Sequence, residues 1–300
     1  MPSRPRSDAR RTSCRSSSAR DFSAERRPRP RSRRLSPRAA VSRNDARCHW
    51  PGSSRGRLLS TRVLRFYGRA AMLRDAFGRL RPVRWGMINL GGYLTVLQLR
   101  VLNKLRIEGV ENLKSLPSRG VLLVSNHLTY YMDAIVVFHS VSYLRRPYLI
   151  WPRTDFYIVA ALETMRARGW LPRLMAYNGT ITVKRTWKEG DQAVQRAVDP
   201  EDIAKVNTGL QGGWVLTFPQ GTTAPGAPGR MGTARIIKEF RPLVVPVRLS
   251  GLREAFDKTG LKLRRMGTEL SVKYGRALDI DYDAEPAEIL QTVMAGIGEA

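Results

Sequence analysis

The chain has 300 residues, a length that fits one large domain or two small ones. Its 52 Lys and Arg outnumber its 25 Asp and Glu, and the net charge of +27 predicts an anionic partner: nucleic acid, anionic lipid or an acidic protein. The two cysteines are Cys14 and Cys48, which excludes a cysteine nucleophile, a disulfide framework and a cysteine-ligated metal from the rest of the chain.

Residues 1–57 are rich in Arg, Ser and Pro and poor in large apolar side chains. They contain 17 Arg, no Lys and four acidic residues, so this segment alone carries a charge of +13. Such a composition buries too little surface to offset the entropy of ordering, and we predict a disordered tail. The composition is also typical of transit peptides, but we favour a solvated tail, or an over-extended start with Met72 or a later residue as the true first residue.

Residues 58–103 are predicted to form membrane-interface helices. Apolar residues in 58–80 recur every three or four positions and share one helical face, while four arginines lie off it. This pattern fits an interfacial helix or a helix that docks on a core, and both remain open. The run 85–99 is uncharged, has 15 residues and contains three glycines. Because a membrane span needs about 20 residues, we predict an interfacial or partly inserted hairpin here.

From residue 104 onward, short apolar runs alternate with helical patterns. The predicted strands are 104–108, 121–125, 148–152, 180–184, 214–218, 243–249 and 270–274. The predicted helices are 133–144, 162–177, 199–211, 232–240 and 285–300. The alternation predicts an α/β fold, a central mixed sheet flanked by helices, for a domain that spans 104–300.

The first polar strand end combines a histidine with a carboxylate. The strand 121–125 leads into Asn126 and His127, and Asp133 follows six residues after the histidine. In open α/β folds, ligands gather at the carboxyl ends of strands. A histidine there can accept a proton near neutral pH if a partner, here Asp133, fixes its other ring nitrogen. The alternative is a histidine that caps a turn and bonds to Asn126 or a backbone carbonyl.

Two further strand ends are polar. One ends in Lys184 and Arg185, and the other breaks into Phe-Pro-Gln-Gly-Thr-Thr at 218–223. Pro219 stops sheet pairing, and a glycine two residues later permits a turn whose N–H groups can bind an anion. In the glycine-rich loop that follows, Arg230 suits a phosphate or carboxylate, although an ordinary surface loop is the alternative.

Taken together, these segments resemble the sequence blocks of the glycerophosphate/lysophospholipid acyltransferase family. Four blocks occur in the family's order over roughly 104–280, and they are Asn126-His127 with Asp133, 179–185, 218–222 and Val245-Pro246-Val247. The variants Asn-His-x-Thr-Tyr-Tyr and Phe-Pro-Gln-Gly-Thr-Thr resemble those of a bacterial subset of the family.

The resemblance implies transfer of a fatty acyl group to a hydroxyl of a lysophospholipid, 1-acylglycerol-3-phosphate or a related lysolipid. It makes His127 the general base and Asp133 its orienting partner. The residues that it implies for substrate binding are Asn126, Thr129, Lys184, Arg185, Gln220, Gly221, Thr222 and Arg230. It implies no metal and no cofactor beyond acyl-CoA or acyl-carrier protein as co-substrate. The expected partners are membrane lipids and that thioester, with no specific nucleic acid, and the expected location is peripheral, on the cytoplasmic face of the cell membrane.

This chain departs from the family's usual pattern in two places. The family has four residues between His and Asp, whereas five separate His127 from Asp133, so we expect a bulge or looser turn. The third block usually reads Phe-Pro-Glu-Gly-Thr-Arg, but Gln220 and Thr223 replace the Glu and the Arg. A lyso-aminolipid acceptor therefore stays open, as does a non-catalytic lipid- or nucleic-acid-binding protein.

Overall fold

The computed structural model describes residues 73–142, 154–166, 170–184, 188–189, 192–193 and 199–298, all within the compact unit Leu58–Ala300. The predicted tail and residues 58–72 lie outside this described part. The strands are β1 (Lys104–Glu108), β2 (Val121–Ser125), β3 (Phe156–Ala161), β4 (Thr180–Val183), β5 (Lys188–Glu189), β6 (Gln192–Ala193), β7 (Trp214–Thr217), β8 (Leu243–Ser250) and β9 (Glu269–Tyr274).

The helices alternate with these strands. They are α1 (Arg81–Val96), which continues as a π-helical turn (Leu97–Val101), α2 (Glu111–Lys114), α3 (Met132–Ser142), α4 (Leu162–Arg166), α5 (Trp170–Tyr177), α6 (Pro200–Gly212), α7 (Met231–Phe240), α8 (Leu252–Ala255) and α9 (Pro286–Ile297). The predicted α/β fold, a central mixed sheet flanked by helices, is therefore confirmed.

Seven strands form the central sheet, in the order β1-β9-β8-β2-β7-β3-β4. Neighbouring strands run parallel except β8 and β9, which pair antiparallel and make the sheet mixed. All five residues of β2 are buried, as expected for a parallel strand covered on both faces. Strand β2 lies between β8 and β7, so its carboxyl end opens near the middle of the sheet.

Two apolar cores cover the two faces of the sheet. Alternate residues of β2 point to opposite faces, so Leu123 joins the core that includes α3, and Leu122 joins the core that includes α6, α7 and α9. Because helices pack on both sides, the polar groups that follow β2 emerge from a rigid, fully buried support.

Six of the seven predicted strands are confirmed to within one residue at each end. The predicted strand 148–152 lies outside the described residues, and the sequence prediction missed β3. The predicted helix 162–177 is present as α4 and α5. The apolar run of β3 continues directly into α4, and a short apolar run alone does not separate strand from helix.

The prediction for the N-terminal segment is wrong in two respects. Residues 73–80 form a tight turn rather than the end of a helix, because the Asp75 carboxylate accepts hydrogen bonds from the backbone N–H groups of Phe77 and Arg79. The run 85–99 is a single helix rather than a hairpin. Pro82 in the first turn favours helix initiation, and no atoms lie where Cβ atoms would be at Gly86 and Gly91.

A buried ion pair fixes helix α1 to the sheet. Arg84 Nη1 lies 2.6 Å from Asp75 Oδ2, and both side chains are fully buried. Arg84 Nη2 donates to the carbonyl oxygens of Phe156 and Asn178, at the amino ends of β3 and β4. A Cβ at Gly179 would lie 2.6 Å from this Nη2 atom, so the guanidinium requires glycine there.

We expect Asp75→Ala to lower the free energy of unfolding by about 3–5 kcal/mol, because it leaves the buried Arg84 guanidinium without its counter-charge. Glu269→Ala is the matched control: it removes the carboxylate from an exposed pair with Arg106 and should cost less than about 1 kcal/mol. Urea unfolding followed by circular dichroism measures both values. Equal losses in the two variants would contradict the role given to the buried pair.

Candidate active site

The predicted histidine and carboxylate meet where β2 ends. His127 lies two residues after the strand, and Asp133 lies in the first turn of α3. His127 Nδ1 lies 2.9 Å from Asp133 Oδ2, and the Asp133 side chain is fully buried. The carboxylate accepts a hydrogen bond from Nδ1–H, and this tautomer leaves the lone pair of the ring on Nε2, which can accept a proton from a ligand.

The five residues between His127 and Asp133 form a turn that closes on the carboxylate. The backbone N–H groups of Leu128 and Thr129 both donate to Asp133, at 2.5 Å and 3.0 Å. The Thr129 hydroxyl donates to Oδ1 at 2.7 Å. These donors compensate for the loss of water around a buried negative charge, and the N-terminus of α3 adds a favourable dipole. The turn therefore accommodates the additional residue while holding Asp133 against the imidazole.

Packing also restricts the imidazole. The His127 ring stacks on Phe218, with centroids 4.3 Å apart and an interplanar angle of 21°, and the residue is only 8% exposed. His139, in α3, has a different environment, since burial and the nearby Arg100 lower the pKa of its imidazole to about 4. His139 is therefore neutral near pH 7. It makes no contact with the His127–Asp133 pair among the hydrogen bonds of the described residues.

A cavity of about 590 Å³ lies in front of His127. Its lining is mostly apolar and comes from β3, β4, α6 and the segment that follows β7. Polar side chains enter it at few points, among them His127, Lys184, Asp199, Asp202 and Arg230. A concave, largely apolar site with few convergent polar groups is suited to a lipid-like ligand.

Lys184, predicted to hold an acceptor phosphate, is paired with a carboxylate. Its Nζ lies 2.9 Å from Asp199 Oδ2, and its backbone N–H donates to Asp202 at 2.6 Å. The hydrogen bond with Asp199 and the charge of Asp199 raise the pKa of Lys184, and the hydrogen bond from Lys184 lowers the pKa of Asp199. The positive charge of Lys184 is thus partly offset within the cavity wall.

Arg230 and Gly221 lie together at another part of the cavity lining. Gly221 has φ +61°, and a Cβ there would be 3.1 Å from Arg230 Nε. That nitrogen donates to the carbonyl oxygen of Gln220, which fixes the guanidinium beside the turn. Within the described part of the chain, Arg230 pairs with no carboxylate, so it can interact with an anionic group of a ligand.

Other residues predicted to bind substrate instead form hydrogen bonds that hold the loops after β2 and β7 in place. Asn126 exchanges two hydrogen bonds with the backbone of Leu249, at the end of β8. Gln220 is buried, accepts from the His127 backbone N–H at 3.4 Å, and donates to the Ala227 carbonyl oxygen. Four of the predicted ligand residues therefore stabilise turns and loops rather than line the cavity, and they are Asn126, Thr129, Gln220 and Thr222. Arg185 lies outside the described residues.

Arg253, in α8, joins the loop that follows β2 to the loop that follows β7. The sequence analysis missed this residue. Its Nη2 donates to the carbonyl oxygens of Thr223 at 2.6 Å and His127 at 3.4 Å, and its Nε reaches the Leu128 carbonyl oxygen at 3.5 Å. The planar guanidinium presents several donors in a fixed geometry, so one side chain can hold both loops. The only sequence signal was a cation shortly after the Val245–Val247 block.

A protein-family model and a solved structure are both similar to this chain. A family model described as Acyltransferase matches residues 104–250. No curated protein matches the sequence. Among solved structures, the chain is similar to the crystal structure of the 1-acyl-sn-glycerophosphate (LPA) acyltransferase PlsC from Thermotoga maritima. The identity is 20%, the TM-score is 0.48, and the alignment covers 78% of this chain and 88% of that chain.

We expect Arg253→Ala to lower kcat by about 10- to 100-fold, since small displacements of catalytic groups carry costs of this size. KM for the substrates should not change, because Arg253 contacts loop carbonyl oxygens and not the cavity. Arg253→Lys should recover only part of the loss, since one ammonium cannot reach both loops. The control is Arg276→Ala, an exposed arginine. A rise in KM without a fall in kcat would argue against a positioning role.

Proposed function

We propose that the protein is an O-acyltransferase, because a family model described as Acyltransferase matches residues 104–250 of this chain. It moves a fatty acyl group from an acyl-CoA or acyl-carrier-protein thioester to a hydroxyl of a lysophospholipid, 1-acylglycerol-3-phosphate or a related lysolipid. The main observation behind this proposal is the His127–Asp133 pair, whose histidine lines a largely apolar cavity.

The reaction uses His127 as a general base and then as a general acid. Nε2 takes the proton of the acceptor hydroxyl while its oxygen attacks the thioester carbonyl carbon. Asp133 stabilises the imidazolium that forms through the Nδ1 contact. Collapse of the tetrahedral intermediate breaks the C–S bond, and the leaving thiolate takes the proton from His127. The turn at Gly221 and Thr222 helps to shape the site that holds the developing oxyanion.

In this proposal, the acceptor head group binds beside Arg230. This guanidinium has no carboxylate partner in the described part of the chain, whereas the Lys184 ammonium is paired with Asp199. Arginine can bind a phosphate or a carboxylate through two hydrogen bonds. A lyso-aminolipid is the second candidate acceptor, because Gln220 and Thr223 stand where the family pattern has Glu and Arg.

The lipid substrates require the site to meet a bilayer surface, and α1 supplies an apolar face for it. Large exposed apolar side chains recur along this helix and the turn that follows, and they are Val83, Trp85, Leu90, Tyr93, Leu94, Leu97 and Val101. The opposite side contacts the domain through Arg84, Ile88 and Leu99. In the part of the chain that the structure describes, no helix has the length and apolarity of a membrane span. On the basis of the exposed apolar face of α1, we propose a peripheral membrane protein on the cytoplasmic face, where thioester donors are made.

The proposed mechanism predicts that His127→Ala reduces acyl transfer by about 100- to 10,000-fold, the usual contribution of a general base. The assay incubates the protein with acyl-CoA and acyl-carrier-protein thioesters and a panel of lysolipids, lysophosphatidate and lyso-aminolipids included, and detects products by mass spectrometry. Thermal unfolding of the variant serves as the folding control. A folded His127→Ala protein with near wild-type rates would refute the mechanism.

The apolar face of α1 predicts weaker vesicle binding in the triple variant Leu90→Ser, Leu94→Ser, Leu97→Ser. Burying one leucine is worth about 1.5–3 kcal/mol, so we expect more than a tenfold loss of binding to neutral and anionic vesicles alike. Met231→Ser, an exposed apolar residue at the start of α7, is the matched control. Flotation of the full chain with liposomes measures the binding. Unchanged flotation of the triple variant would exclude α1 as the anchor.

A further inference from the structure

Residues 256–267 form an exposed basic segment, here called the basic hairpin, which the proposed reaction does not use. Phe256 bridges Leu263 and closes it. Four exposed cations project from it, and they are Lys258, Lys262, Arg264 and Arg265. Among the described residues, none of the four forms an ion pair.

Asp257 is the one acidic residue of the basic hairpin, and its carboxylate forms hydrogen bonds within the turn. The Asp257 carboxylate accepts hydrogen bonds from the Thr259 hydroxyl and from the backbone N–H groups of Leu261 and Lys262. Burial alone would raise the pKa of Asp257, but these hydrogen bonds lower it. The carboxylate thus organises the turn, and the outer surface of the hairpin is positive.

One end of the basic hairpin contacts the loop 126–131, which follows β2 and contains His127; it is called the catalytic loop below. The backbone N–H groups of Tyr130 and Tyr131 donate to the carbonyl oxygens of Lys258 and Thr259, at 3.1 Å and 3.0 Å. Gly260, at φ +79°, lies so close that a Cβ there would be 2.7 Å from the Cβ of Met132. The Lys258 ammonium lies 5.7 Å from the centroid of the Tyr130 ring, which lines the cavity.

The other end of the basic hairpin touches the helix that carries the apolar face. The Gly267 N–H donates to the Leu102 carbonyl oxygen at 2.7 Å, and the Thr268 N–H donates to Asn103 Oδ1 at 3.1 Å. Met266, which precedes Gly267, is 67% exposed, and Val101, which precedes Leu102, is 69% exposed. The apolar surface of α1 therefore continues into the basic hairpin.

We propose that the basic hairpin is a second membrane contact, which binds the anionic head groups of a bilayer and holds the catalytic loop at the lipid surface. This inference rests on the proposed function, because it assumes that the site works on lipid. Exposed cations beside an exposed apolar surface match an anionic membrane, where each basic residue adds to binding. An acidic carrier protein would also match the charge, but it would not require continuity with the apolar face of α1.

The test neutralises three cations in the full chain, as Lys262→Gln, Arg264→Gln, Arg265→Gln. Lys258 is kept because its side chain lies over Tyr130 at the rim of the cavity. The control, Lys114→Gln, Arg119→Gln, Arg276→Gln, removes the same charge from exposed positions elsewhere. Binding is measured at low salt on vesicles of phosphatidylcholine alone and of phosphatidylcholine mixed with phosphatidylglycerol. Acyl transfer is measured on the same vesicles and in nonionic detergent micelles.

We expect the hairpin variant to bind mixed vesicles about 10- to 100-fold more weakly than the wild type, with acyl transfer on those vesicles reduced in proportion. Its binding to neutral vesicles and its activity in micelles should match the wild type, and the control variant should match it throughout. Unchanged binding to mixed vesicles would overturn the proposal. A loss confined to acyl-carrier-protein donors, with vesicle binding intact, would overturn it in favour of carrier docking. If the wild type transferred no acyl group even in micelles, the proposed function would fail, whereas vesicle binding would still decide the role of the hairpin.

Discussion

The buried carboxylate of Asp133 determines the geometry around it. A negative charge without solvent must be compensated by donors, and here the imidazole, two backbone N–H groups and a hydroxyl provide them. The same contacts fix the tautomer of His127, the path of the loop that follows β2, and the start of α3. The contacts of Asp133 therefore belong both to the proposed catalytic pair and to the local fold.

Most polar groups around the cavity interact with each other rather than with the open space. Gln220 and Arg253 join the two loops, and Lys184 is paired with Asp199. Such prior pairing fixes the geometry of the site before a ligand arrives, which favours catalysis because little reorganisation is needed during the reaction. It also leaves the cavity mostly apolar, with Arg230 as a cation that can still meet a charged head group.

Local patterns in the sequence predicted what local physics determines. The apolar run 121–125 predicted β2, and the positions of His127 and Asp133 allowed the contact that the structure shows, because both depend on neighbours in the chain. Arg253 was missed, because its contacts join residues 30 and more than 100 positions away and leave no periodic signal. Gln220 was assigned to substrate for the same reason: a sequence shows its amide but not the backbone partners that satisfy it. The glycines of α1 suggested a hairpin, yet a helix tolerates them where nothing packs against them.

The contacts of Arg253 have a consequence for how this architecture can be altered. Because one guanidinium holds the carbonyl oxygens of His127, Leu128 and Thr223, the two loops and α8 form one inseparable module. A Phe-Pro-Gln-Gly-Thr-Thr loop grafted alone into a relative would lack the hydrogen bond from Arg253. A foreign loop inserted here would have to offer its carbonyl oxygens at the positions that Arg253 reaches. Protein engineers who wish to exchange head-group selectivity would have to transplant all three segments together.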